Sequence, residues 1–152
     1  MGIFAGWLSK LKAKLGLDSK IIVAEVLAWA KHQNADRLRV VKLNIGPPKA
    51  RLAPKGGGDR VVAPVVCGAT NFDVGDKVVL ALPGAQISRS HKENKPFVLA
   101  KAVLRGIESQ GMICSAYELG MSDSAAEGIF VLDRSIRPGT PFSDNMSGSD
   151  CK

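Results

Sequence analysis

Between Lys101 and Ser115 the chain reads KAVLRGIESQGMICS, and the residues there whose types could make chemistry are Arg105, Ser109 and Ser115. A guanidinium and two hydroxyls are donors suited to phosphate and ribose oxygens. Gly106 and Gly111 bracket the polar turn, and glycine lets a backbone bend tightly or lets a ligand come close to it. A solvated turn between two strands fits the same spacing, because Gly-polar-Gly turns are common. Ser109 in GIESQG does not have the GxSxG spacing of a hydrolase nucleophile, and no strand-to-helix context surrounds it.

Other catalytic patterns are missing as well: the chain has no phosphate loop, GxGxxG or HExxH. Its three cysteines, Cys67, Cys114 and Cys151, are far apart and lack CxxC pairing, so they read as buried or incidental thiols. The two histidines, His32 and His91, leave little material for a metal site. The expectation is a noncatalytic chain without metal or cofactor.

Charge points to the class of partner. The net charge is +7, and it is unevenly spread: residues 1–60 hold twelve Lys/Arg against four Asp/Glu, whereas residues 106–152 hold three against seven. A basic region of this kind suits a polyanion such as nucleic acid, and a solvated basic face explains charge alone equally well. Aromatic residues are few and sit mostly in apolar positions, so a row of stacked single-stranded bases finds little support. A folded RNA, recognised through phosphate, 2′-hydroxyl and shape, fits better.

The elements that must position these residues are short. Residues 3–15 place Ile3, Phe4, Trp7, Leu8, Leu11 and Leu15 at helical spacing among lysines, which predicts an amphipathic N-terminal helix over 1–17. Beyond Lys20 the pattern turns β-like: Ile21 to Trp29 and Leu38 to Ile45 read as strands joined by a KHQNADR connection. A basic Pro/Gly-rich loop, Gly46 to Arg60, precedes a strand at Val61 to Cys67, where Pro64 implies an edge or a bulge. Lys77 to Leu82, Phe97 to Leu104, Met112 to Cys114 and Gly128 to Leu132 follow as further strands, with Ala116 to Gly120 a helical turn. The length allows one domain with a real core, and no apolar run approaches membrane-spanning length. The architecture expected is all-β: a five-stranded OB-fold barrel with short helices over residues 18–143, and a flexible tail at 144–152.

Five motifs, HQNADRL (32–38), VVCGATN (65–71), GDKVVLALPGA (75–85), the 101–115 stretch and YELG (117–120), resemble the EMAP-like tRNA-binding OB-fold family in the family's own order. Within it, the chain is most similar to the domain near the N-terminus of the bacterial phenylalanyl-tRNA synthetase beta chain. The resemblance implies an OB barrel that docks the outside of a folded tRNA, with Asn34, Asn71, Lys77, Arg105, Ser109, Met112 and Ser115 as RNA-contacting positions. Asp36, Gly68, Pro83, Gly84, Gly106 and Gly111 look like turn and barrel residues. The partners it implies are tRNA and either a second copy of the chain, as a homodimer, or a synthetase alpha chain; with neither a membrane-spanning run nor a secretory signal pattern, the chain reads as cytoplasmic and away from membranes. It leaves three settings open: a stand-alone tRNA-binding protein, a fragment of a synthetase beta chain, and a chaperone-like protein-binding dimer. Two features depart from the family pattern, the long Pro/Gly-rich insertion after Gly46 and the enlarged basic SRSHKENK loop (88–95).

Overall fold

The computed structural model describes residues 20–47, 58–88, 90, 93, 95–124 and 128–142. Among these residues the chain is all-β, with ten strands and no helix. The body is a single antiparallel sheet. It contains β1 (Ile21–His32), β2 (Ala35–Asn44), β3 (Val61–Cys67) and β4 (Lys77–Ala81), joined by the short β9 (Met112–Ile113) and β10 (Val131–Leu132). Its strand order is β10-β4-β1-β2-β3, with β9 also paired to β4. Two small ribbons complete the set: β5 (Gln86–Ile87) with β6 (Phe97–Val98), and β7 (Ala102–Leu104) with β8 (Ile107–Ser109).

Burial on two faces explains the unbroken apolar run at the start of β1, because a strand covered on both sides has no solvent face to mark with polar residues. Ile22, Ala24 and Val26 enter one core cluster with Val41 and Leu43 of β2, Val65 of β3, and Val78 and Leu80 of β4. Val23 points the other way, into a second cluster with Val79, Ala81, Ile87, Cys114 and Leu132. All five residues of β4 are buried. The later part of the chain thus serves to cover the back of β1 and β4.

Pro64 stands on an edge strand, as expected from its lack of an N–H. Its carbonyl points away from β2 and accepts the Gln110 N–H at 2.9 Å. The missing donor falls on the outer side of β3, at a bulge where Ala63 and Pro64 together stand opposite Lys42 in the β2–β3 ladder.

Several expectations need correction. The connection after β1 is shorter than KHQNADR: only Gln33 and Asn34 form the turn, and the mismatch is absorbed by a bulge between the pairs Lys31↔Arg39 and His32↔Ala35. Phe97 to Leu104 is two strands, because Leu99 exchanges backbone bonds with Gly84 and Ala85 before the chain crosses over to pair with β8. Ala116 to Gly120, by contrast, is the single turn expected there, with the Leu119 N–H donating to the Ser115 carbonyl at 3.2 Å. Ladder bonds leave β3 and β10 as edges, so the sheet is not closed into a barrel. The expected N-terminal helix (1–17) and tail (144–152), most of the Pro/Gly-rich loop and part of the 88–95 loop lie outside the described residues. No helix among the described residues is long and apolar enough to cross a membrane.

Leu43 is fully buried where β1, β2 and β3 meet. Leu43→Ala is expected to lower stability by about 2–5 kcal/mol through lost burial and a residual cavity. A urea titration should show this as a lower midpoint with an unchanged slope.

Candidate nucleic-acid interface

The 101–115 stretch is a hairpin followed by a tethered corner. Arg105 (φ 53°) and Gly106 (φ 90°) form the two-residue loop between β7 and β8, and positive φ at both positions is the type I′ pattern favoured in tight hairpins. Arginine is an unusual occupant of the first position: a left-handed conformation costs an L-residue with a Cβ about 1–2 kcal/mol. Its side chain is exposed at the hairpin tip.

Ser109 is buried, and its hydroxyl works in both directions. Oγ accepts the Val66 N–H at 2.9 Å and donates to the Gly111 carbonyl at 2.7 Å. With the Gln110 bond to Pro64, this fastens the corner to the outer edge of β3. Gly111 is required by close approach, since a Cβ there would lie 2.8 Å from the Ala81 carbonyl oxygen, a backbone atom with no freedom to step aside.

Ser115 is also buried and forms a reciprocal pair with Glu118. The Ser115 N–H donates to Glu118 Oε2 at 2.7 Å, and Ser115 Oγ accepts the Glu118 N–H at 3.2 Å. This is the Ser-x-x-Glu capping box, used here to hold a single turn. Lys77 is 7% exposed and donates from Nζ to Glu25 Oε2 at 2.8 Å, from the position directly opposite it on β1. Asn71 bonds the backbone of Ile129 twice, donating from Nδ2 at 2.9 Å and accepting on Oδ1 at 3.1 Å. Met112 is half-buried, against the second core cluster.

Of the seven positions carried over by resemblance, Asn34, Asn71 and Arg105 are exposed, Asn34 and Arg105 on hairpin loops. Lys77, Ser109 and Ser115 are buried and bonded internally, and both amide atoms of Asn71 are engaged by the backbone. The two loops meet through a residue that the sequence reading did not nominate. His32, 4% exposed, has Nε2 3.0 Å from the Leu104 carbonyl, while its Nδ1 accepts the Asn34 N–H at 3.0 Å. Exposed Lys31, Gln33 and Arg37 lie on the same first hairpin.

Sequence reasoning also missed Glu25 and Glu118. Both carried a signal: a carboxylate within IIVAEVL needs a partner, and SAYE has capping-box spacing. His32 carried none.

The aromatic residues near this end of the sheet are occupied. The Arg39 guanidinium stacks 3.7 Å from the centre of the Trp29 ring and 5.1 Å from that of Phe72, and it donates to the Phe72 carbonyl at 3.0 Å. Trp29 Nε1–H donates to Asp73 Oδ1 at 3.1 Å; that bond and the Val74 N–H hold the Asp73 carboxyl below its ordinary range. Burial pushes the Cys67 and Cys114 thiols up, which keeps them protonated and poorly nucleophilic near neutral pH.

A family model described as "Putative tRNA binding domain" matches residues 21–141, from the start of β1 to the last described segment. The chain belongs to this family. Among its relatives, the phenylalanine–tRNA ligase beta subunit of Burkholderia lata is 36% identical over 132 residues, 87% of this chain and 15% of that protein. The beta subunit of Wolinella succinogenes is 41% identical over 122 residues, 80% of this chain and 13% of that protein. "Putative tRNA-binding protein YtpR" of Bacillus subtilis is 39% identical over 127 residues, 83% of this chain and 54% of that protein. The chain therefore spans about half the length of one of these relatives and under a sixth of the other two. All five motifs fall within the stretch that the tRNA-binding-domain family model matches.

Ser109→Ala removes the acceptor of the Val66 N–H at a buried edge. A stability loss of about 1–3 kcal/mol is expected, since the donor is left unpaired. Thermal unfolding of this variant beside Ser109→Thr, which keeps the hydroxyl, checks it; equal melting of Ser109→Ala and the parent protein would remove the tether from the account.

Proposed function

We propose that this chain is a noncatalytic tRNA-binding module that docks a folded tRNA through the loop edge carrying Asn34 and Arg105. The observation that carries the reading is Arg105. An exposed cation occupies a left-handed hairpin position where Asn or Gly is better suited, so the hairpin alone does not account for an arginine there. Membership of the tRNA-binding-domain family, the basic balance of the chain and the neighbouring Lys31 and Arg37 support phosphate as that something. The other carried-over residues then act indirectly, by holding the corner in place.

The same reading takes the sheet as an OB-type barrel. Residues 109–113 touch β3 at one end, through Ser109 and Gln110, and pair with β4 at the other, through Met112 and Ile113. They bridge the ends of the β4-β1-β2-β3 path, which is the closure that such a barrel needs. A second setting follows from the beta-subunit relatives: the module contributes tRNA binding to a phenylalanine ligase assembly alongside an alpha chain.

Filter binding of folded tRNA against unfolded RNA of equal length, at 50 and 200 mM salt, tests the proposal. Folded tRNA is expected to bind more tightly, with affinity falling about 40-fold between the two salts if three phosphates are contacted. Absence of both the preference and the salt dependence sinks the reading. Arg105→Asn is expected to keep or raise stability, by up to roughly 1 kcal/mol, while weakening tRNA binding and lowering the salt slope by about one. Equal affinity across a panel of tRNAs favours the general module; preference for phenylalanine tRNA favours the ligase setting.

A further inference from the structure

Asn34 and Arg105 are 71 positions apart in the chain, yet one side chain ties their loops together. The Nδ1 of His32 accepts the Asn34 N–H, so that nitrogen presents a lone pair. Nε2 faces the Leu104 carbonyl, which can only accept, so the ring proton sits on Nε2. One imidazole therefore accepts from the first loop and donates to the residue that enters the second.

Both loops need the help. Neither Gln33 nor Asn34 has a positive φ, so the β1–β2 loop lacks the primed geometry that matches strand twist, and the His32 ring supplies a side-chain bond to the residue two positions on, as an Asx turn does. The second hairpin is held to β3 through β8, whereas among the described residues β7 pairs with β8 alone. Ala102, Val103 and Leu104 are all exposed, Val103 at 65%. The Leu104 carbonyl is where this outer strand is anchored to the body.

We propose that His32 is a positioning residue: its two hydrogen bonds join the β1–β2 and β7–β8 loops into one preorganised edge and so fix Arg105 relative to Asn34. The assignment rests on the tRNA-binding reading for its purpose and on geometry alone for the coupling. Binding to an edge already ordered avoids the entropy of ordering it on contact, so loosening the joint should weaken binding without removing any group that touches RNA.

Two substitutions separate the bonds. His32→Asn places an amide oxygen near the position of Nδ1 and keeps the bond from Asn34; His32→Gln places an amide N–H near that of Nε2 and keeps the bond to Leu104. Amide hydrogen exchange on the protein without RNA reads the coupling. His32→Asn should lose protection across residues 102–107, and His32→Gln should retain it. Binding of folded tRNA reads the purpose: His32→Asn should bind about three- to tenfold more weakly, the equivalent of one hydrogen bond, and His32→Gln close to the parent protein. Combining His32→Asn with Arg105→Asn should then weaken binding by less than the product of the two single effects.

Unchanged protection at 102–107 in His32→Asn overturns the coupling. Normal protection loss with unchanged tRNA affinity, or fully additive double-variant effects, overturns the positioning role. If the parent protein binds no tRNA, the functional reading fails, and the exchange pattern still decides independently whether His32 joins the loops.

Discussion

At the outer edge of β3, alternate backbone groups point away from β2 and must find partners of their own. Pro64 and Val66 are the residues in question. The first presents a carbonyl and no donor, the second an N–H, and residues 109–110 meet both: Gln110 donates to Pro64, and the Ser109 hydroxyl accepts from Val66. Because Ser109 also donates to Gly111, the corner is bent back on itself and delivered to β4, where Met112 and Ile113 continue the pairing. The close passage of Gly111 over Ala81 completes the path. With that corner pinned, the β7–β8 hairpin can project only outward, and its entering strand reaches His32.

The polar residues that look suited to a ligand divide accordingly. A hydroxyl or carboxamide beside glycines can capture a phosphate, and it can equally capture a backbone group that strand pairing leaves over. Ser109, Ser115 and Asn71 take the second course, each bonding main-chain atoms far along the chain or across a turn. Lys77 likewise answers a carboxylate placed opposite it inside the sheet. Arg105 differs in that its backbone conformation is disfavoured for its type and its side chain is exposed, so local folding does not account for it. Exposed Lys31 and Arg37, beside a single carboxylate at Asp36, leave the first hairpin net basic.

Much of the strand content was legible because β-branched runs bounded by Gly, Pro and Asp leave few other options, and β3 has the bounds expected of it, with Pro64 on an edge. The break in the Phe97 to Leu104 run was not legible. Its residues are uniformly strand-like, and what divides them is a change of partner, from the 84–87 segment to β8. The turn at 116–120 was legible as a turn, and what holds it, the reciprocal Ser115–Glu118 bonds, was not read from the sequence.

By itself the sequence determined the all-β character, an edge or bulge at Pro64, the candidate corner and, through five motifs in order, the family. These are properties of local pattern, set by side-chain branching, backbone restriction and residue spacing, and they do not depend on what lies across the fold. Which polar groups face solvent and which are consumed by the backbone was decided only by tertiary structure, because that outcome depends on strands brought together from distant parts of the chain. The 101–115 stretch shows the division within a few residues. Its glycines and Ser109 serve turn geometry and the tether to β3, Arg105 stands out at the tip, and the Leu104 carbonyl beside it meets the ring of His32, 72 positions earlier.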